Sequence, residues 1–148
     1  MRARTMPAVL GNLVKAARRR LPLTTRRRLA VFVGGMLGTA LRALVVAAVP
    51  VGASGWPWAT FSANVTGALL LGYLLTRFLN AATRTTLAVP LLCTGVLGSY
   101  TTFSSFAVEV TDLLKFGRIN TALGYGLGSV IVGYAAAQLG RRGAQRRG

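Results

Sequence analysis

Histidine is absent from this chain and acid is scarce. Among 148 residues only Glu109 and Asp112 carry a carboxylate, against 18 lysines and arginines. Those absences remove zinc chemistry, histidine acid–base work and the usual catalytic carboxylate pairs. No constellation of acid, base and nucleophile remains, so the chain reads as a non-enzyme. Cys93 is the single cysteine, which excludes an internal disulfide; inside an apolar run it serves as a small packing residue. A formal charge of +16 often marks a nucleic-acid binder. Here the arginines flank apolar runs, so no nucleic-acid partner is expected and the basic residues belong to a membrane pattern.

What is present is apolar sequence in blocks of membrane length, with a mean hydropathy of +0.53. At about 1.5 Å per residue, about 20 residues cross a hydrocarbon core of about 30 Å. Four such segments are read: 29–49, 59–79, 86–110 and 119–139. They predict an all-α integral membrane protein in which a transmembrane domain over 29–140 is bracketed by basic tails, 1–28 and 141–148. The N-terminal tail lacks the apolar region and small-residue cleavage site of a secretory signal and is expected to stay attached. Pro50, Gly52, Ser54, Gly55 and Pro57 make a turn, with Trp56 and Trp58 at interfacial depth. Glycines four apart, Gly34/Gly38 and Gly124/Gly128, allow close helix approach, in the bundle itself or at a dimer seam.

An even number of spans puts both tails and the loop carrying Arg77 and Arg84 on one side. That side holds 15 of the 18 basic residues, while the other has only Lys115 and Arg118. Both termini are therefore expected in the cytoplasm, with the protein multi-pass in the plasma membrane.

The third segment is interrupted. GVLGSYTTFSSF, 95–106, places glycines and hydroxyls in an otherwise lipid-soluble helix. Polar, broken backbone at membrane depth is tolerated where it is buried in protein or lines a wet path. Asn64, in the first half of the second span, is unfavourable toward lipid and points into the bundle, either as glue between helices or as a donor to a passing solute. Phe103 and Phe106 share one helical face and interleave with Ser104 and Ser105. Core packing is one reading of the pair; phenyl edges turned to a small anion are the other. Tyr125 and Ser129, four apart, align two hydroxyls, and Glu109 lies one turn past Phe106 near the mouth of its span. Arg42, two-thirds along the first span, either snorkels to the far interface or draws an anion to a vestibule.

Three motifs, GGMLGTALR at 34–42, TFSANVTGALLLG at 60–72 and GVLGSYTTFSSFAVE at 95–109, resemble the Fluc fluoride channels, also called the CrcB family. The resemblance covers residues 29–139, hence all four spans. It implies passive, selective fluoride export through two pores in an antiparallel dimer of four-helix subunits with a broken third helix. In that likeness Asn64 is the pore asparagine, Phe103 and Phe106 are the ring-edge phenylalanines, and Ser104, Ser105, Tyr125 and Ser129 form a hydroxyl track. Arg42 and Glu109 sit at vestibules. A structural Na⁺, not transported, is held at the break by the backbone carbonyls of Gly98 and Thr101. Ser99 stands where a second glycine is common, and Gly133 where some members carry a hydroxyl.

The charge bias is at odds with a chain that inserts both ways. It points to a fixed orientation and a heterodimer with a homologous subunit of opposite bias; a dual-topology homodimer is the other arrangement. The competing function is a small dimeric, proton-coupled multidrug exporter. That chemistry needs a carboxylate deep in a span, and neither Glu109 nor Asp112 is deep.

Overall fold

The computed structural model describes residues 21–49, 55–80 and 87–146. The tail 1–20, the turn residues Pro50 to Ser54 and the loop at Arg84 lie outside the described residues. The described chain is helical: α1 (Leu23–Ala48), α2 (Trp58–Asn80), α3 (Val89–Leu97, continued by one α-helical turn, Gly98–Tyr100), α4 (Phe103–Lys115) and α5 (Ile119–Gln145). Four of the stretches are long and apolar enough to cross a membrane: Leu23–Ala48, Trp58–Asn80, Val89–Lys115 and Ile119–Gln145. The third combines α3 and α4 across the interruption.

Two helices run farther than the apolar segments predicted. α1 starts six residues before the first span and takes in Arg26, Arg27 and Arg28; α5 continues through Arg141 and Arg142 to Gln145. The tail boundaries at 28 and 141 therefore fall inside helices. Hydropathy reports hydrocarbon thickness. Arginine is a good helix former, so the helices continue into the headgroup layer where the side chains are solvated.

α3 is wound as a π-helix, with the Gly98 N–H reaching back five residues to the Cys93 carbonyl. Apolar periodicity over so short a run does not distinguish π from α winding. Helix α4 ends in a Schellman motif. Gly117 is left-handed at φ 72°, its N–H donates to Leu114 O, and the Arg118 N–H donates to Leu113 O at 2.8 Å. That reversal turns the chain directly into α5.

Packing follows two helix pairs, α1 with α3 and α2 with α5. Gly34 and Gly38 serve the bundle within the chain: a Cβ on either would strike the α3 backbone at Leu91 O or Val96 O. The seam between α2 and α5 rests on another pair. A Cβ on Gly72 would meet Ala137 O, and one on Gly140 would meet Leu69 O. Gly124 and Gly128 face the Trp56 ring at ordinary van der Waals distance. The core proper is small, Leu113, Ala122 and Tyr125, with Trp56, Phe61, Phe106 and Val110 packed on it. Large apolar side chains on α1 (Phe32, Met36, Leu44) and α5 (Leu127, Ile131, Tyr134) point outward, as a lipid environment permits.

Candidate functional site: a polar cleft at the interruption

The interruption is two residues long. Thr101 (φ −77°, ψ 154°) and Thr102 (φ −146°, ψ 121°) are extended, which parts α3 from α4. Extended backbone at membrane depth leaves polar groups to be satisfied, and α2 satisfies both of those on Thr102. Asn64 Nδ2 donates to Thr102 O at 3.0 Å, and Asn64 Oδ1 accepts the Thr102 N–H at 2.8 Å. One turn on, Gly67 has no room for a Cβ because the Thr101 methyl and the Tyr100 ring lie against it. Thr66 and Tyr100 share a hydroxyl hydrogen bond at 3.0 Å. The helix face bearing Asn64, Thr66 and Gly67 thus forms the bed on which the interruption lies.

Helix α4 is started by its own side chains. The Thr102 hydroxyl accepts the Ser105 N–H at 3.2 Å, an N-cap of the usual kind. The same Oγ1 lies 3.2 Å from Ser104 Oγ and donates to Ser105 Oγ at 3.1 Å. At the far side of the turn, the Thr101 N–H and hydroxyl both donate to Leu97 O, at 3.1 and 3.0 Å.

Beside this turn is a cleft of about 300 Å³ lined by Asn64, Thr101, Thr102, Phe103, Phe106, Ser129 and Val130. It gathers residues of α2, α4 and α5 that are far apart in sequence. The rings of Phe103 and Phe106 lie 5.9 Å apart at 40°. Phe106 is partly buried against Tyr125, at 5.2 Å, whereas Phe103 is 80% exposed. Ser129 Oγ is buried and makes no hydrogen bond in the described structure. A buried hydroxyl without a partner is uncommon and calls for an explanation.

Tyr125 takes a different place from Ser129, although both lie on one stripe of α5. It is fully buried, flanked by Trp56 and Phe106, and its hydroxyl donates to Glu109 Oε2 at 2.7 Å. Thr60 Oγ1 donates to the other carboxylate oxygen at 2.6 Å. Glu109 with its two hydroxyl donors borders a second, larger cavity of about 700 Å³, whose walls include Trp56, Trp58, Asp112 and Arg118. The two cavities share no lining residue. Arg42 is half-buried on α1, six residues before its end, and borders neither cavity.

Sequence reasoning did not single out Thr60. The signal was available, since Thr60 lies four residues before Asn64 and therefore on the same helical face. Thr102 was seen only as one hydroxyl among several. Its capping role depends on where α4 restarts.

Four membrane-length helices and an interrupted third span with a cleft beside it define a small multi-pass membrane protein. The chain belongs to the family described as CrcB-like protein, Camphor Resistance (CrcB), which it matches over residues 29–141. It is similar to the "Fluoride-specific ion channel FluC 1" of Mycolicibacterium paratuberculosis, 40% identical over 114 residues that cover 77% of this chain and 86% of that protein. It is 44% identical over 112 residues to the "Fluoride-specific ion channel FluC" of Paracoccus denitrificans, covering 76% and 89%. The "Fluoride-specific ion channel FluC 2" of Nocardia farcinica is 39% identical over 119 residues, covering 80% and 85%.

Proposed function

We propose that the chain is a passive, fluoride-selective channel that lowers cytoplasmic fluoride. The observation that carries this reading is the cleft where Asn64, Phe103, Phe106 and the unpartnered Ser129 hydroxyl converge. Fluoride is small and strongly hydrated, so a narrow path must replace its water. The replacements here are donors and positive ring edges: the second N–H of Asn64 Nδ2, the Ser129 hydroxyl, and the rims of Phe103 and Phe106. Hydrogen bonds to a charged partner are about twice as strong as neutral ones. Several modest sites in series allow exit as well as entry. Chloride is larger and a poorer acceptor, and gains less from the same donors. The relatives named fluoride-specific ion channels support the identity of the ion.

The active unit is an antiparallel dimer with two pores. The 80% exposure of Phe103 supports this, because a ring edge meant for an anion must be shielded from lipid by a second subunit. Ser104 and Ser105 hold the start of α4 and extend the hydroxyl track, while the Tyr125 hydroxyl is held by Glu109. Arg42 and Glu109 serve the vestibules. A structural Na⁺ sits at the interruption on the carbonyls of Gly98 and Thr101, a donor set of hard oxygens that suits it. The charge bias favours a fixed orientation, both termini cytoplasmic, and a homologous partner of opposite bias.

The deciding experiment is efflux from vesicles loaded with fluoride or chloride, followed with ion-selective electrodes. Fluoride should leave and chloride should stay. Equal leakage of both, or of neither, with a homologous partner supplied where the source organism encodes one, rejects the channel reading.

A further inference from the structure

We infer that Asn64 and Thr102 are positioning residues that prepare the cation site, by drawing away the two N–H donors that would otherwise occupy its carbonyls. This rests on the reading above that a Na⁺ sits at the interruption. In an unbroken α-helix the Gly98 carbonyl accepts from the N–H of Thr102, and the Thr101 carbonyl from the N–H of Ser105. Neither donor goes there. The Thr102 N–H is held by Asn64 Oδ1 at 2.8 Å, and the Ser105 N–H by Thr102 Oγ1 at 3.2 Å.

The neighbouring carbonyls receive the opposite treatment. Leu97 O accepts both the N–H and the hydroxyl of Thr101, and Thr102 O accepts from Asn64 Nδ2. Leu97 O and Thr102 O are thus held by this chain's own donors, while Gly98 O and Thr101 O have lost their helical donors. A carbonyl deprived of its donor at membrane depth is costly, and a small hard cation is an effective replacement partner. Extended backbone opens these carbonyls, and the two freed N–H donors are then held elsewhere. Holding them requires an acceptor on α2 at the height of Thr102 and a hydroxyl at the N-cap of α4.

Asn64 therefore couples two sites. Its Oδ1 and one N–H lock the Thr102 backbone, while the carboxamide also borders the cleft with Phe103, Phe106 and Ser129. Distortion at the cation site would shift the pore donor, and loss of the pore donor would restore a helical partner to Gly98 O.

The test uses the full chain in lipid nanodiscs, melted across a titration of NaCl against N-methylglucamine chloride. The wild type should be stabilised by Na⁺ with a defined midpoint. Thr102→Val and Asn64→Leu should raise that midpoint at least tenfold, whereas Thr102→Ser, which keeps the capping hydroxyl, should stay within twofold of wild type. Wild-type midpoints in Thr102→Val and Asn64→Leu overturn the positioning roles while leaving the cation site standing. A wild type indifferent to Na⁺ overturns the cation site and this inference with it. Should the valine and leucine variants fail to fold, wild-type protein labelled with ¹³C at the carbonyls of Leu97, Gly98 and Thr101 gives a second reading. Replacing N-methylglucamine by Na⁺ should move the Gly98 and Thr101 signals and leave Leu97 in place. Movement of Leu97 alone, or of none, overturns the inference.

Discussion

Tyr125 and Glu109 are joined by a hydrogen bond of 2.7 Å between α5 and α4, with the tyrosine hydroxyl donating to Oε2 of the carboxylate. Thr60 donates to the other oxygen from α2. Three helices therefore converge on one of the chain's two acidic side chains. A half-buried carboxylate is tolerated there because each oxygen has its own hydroxyl donor.

Removing either donor should weaken the fold. Tyr125→Phe and Thr60→Val each delete one hydrogen bond to a charged group, on the order of 1.5–3 kcal/mol. Both should lower the melting temperature in detergent, and Thr60→Ser should restore it. A Tyr125→Phe protein as stable as wild type would show the bond to be dispensable.

The two phenylalanines should separate conduction from stability. Phe103 is exposed and Phe106 packs on Tyr125 at 5.2 Å. Phe103→Ile should reduce fluoride efflux from vesicles at least tenfold with an unchanged melt. Phe106→Ile should reduce efflux similarly and also lower stability, by roughly 0.5–1.5 kcal/mol for the lost ring pair. Undiminished fluoride flux in both variants removes the role of the ring edges.

Glycines in the helices are not equivalent. A Cβ on Gly72 collides with Ala137 O, so Gly72→Val should destabilise by about 1–3 kcal/mol or block folding. Gly126 has nothing within 4 Å of where a Cβ would be. Gly126→Ala should be neutral or gain roughly 0.5–1 kcal/mol, because alanine loses less backbone freedom in a helix. Comparative melts of the two variants settle the contrast; a tolerated Gly72→Val argues against the tight α2–α5 seam.

Orientation can be read directly. A tag at the C-terminus, probed from each side of intact and opened cells, should be accessible only from the cytoplasm. Equal labelling from both faces would establish dual insertion and a homodimer in place of the fixed orientation.

Much of the architecture is legible in the sequence. Lipid demands apolar side chains over a fixed thickness, so the four spans stand out in composition. Hydroxyls and glycines in 95–106 marked the interruption because they are out of place in hydrocarbon. Asn64, Phe103, Phe106 and Ser129 could each be named as polar or aromatic residues needing a destination. The Gly72–Gly140 seam could not be foreseen, since helix pairing, and not spacing, decides which glycines face a neighbour's backbone. The face of Thr60 was legible from its spacing to Asn64, but its carboxylate partner, 49 residues away, was not.

Residue order and composition alone specify a four-span membrane protein with a strong charge bias, an interrupted third span and almost no ionisable chemistry inside it. Those properties are local, set by transfer of each side chain and backbone group between water and lipid. Helix packing settles which polar groups satisfy one another. It set Asn64 against both backbone groups of Thr102, gave Tyr125 and Thr60 to Glu109, and left the Ser129 hydroxyl beside two phenyl rings. Hydrogen bonds act over about 3 Å, and no pattern along a chain fixes distances that short between helices.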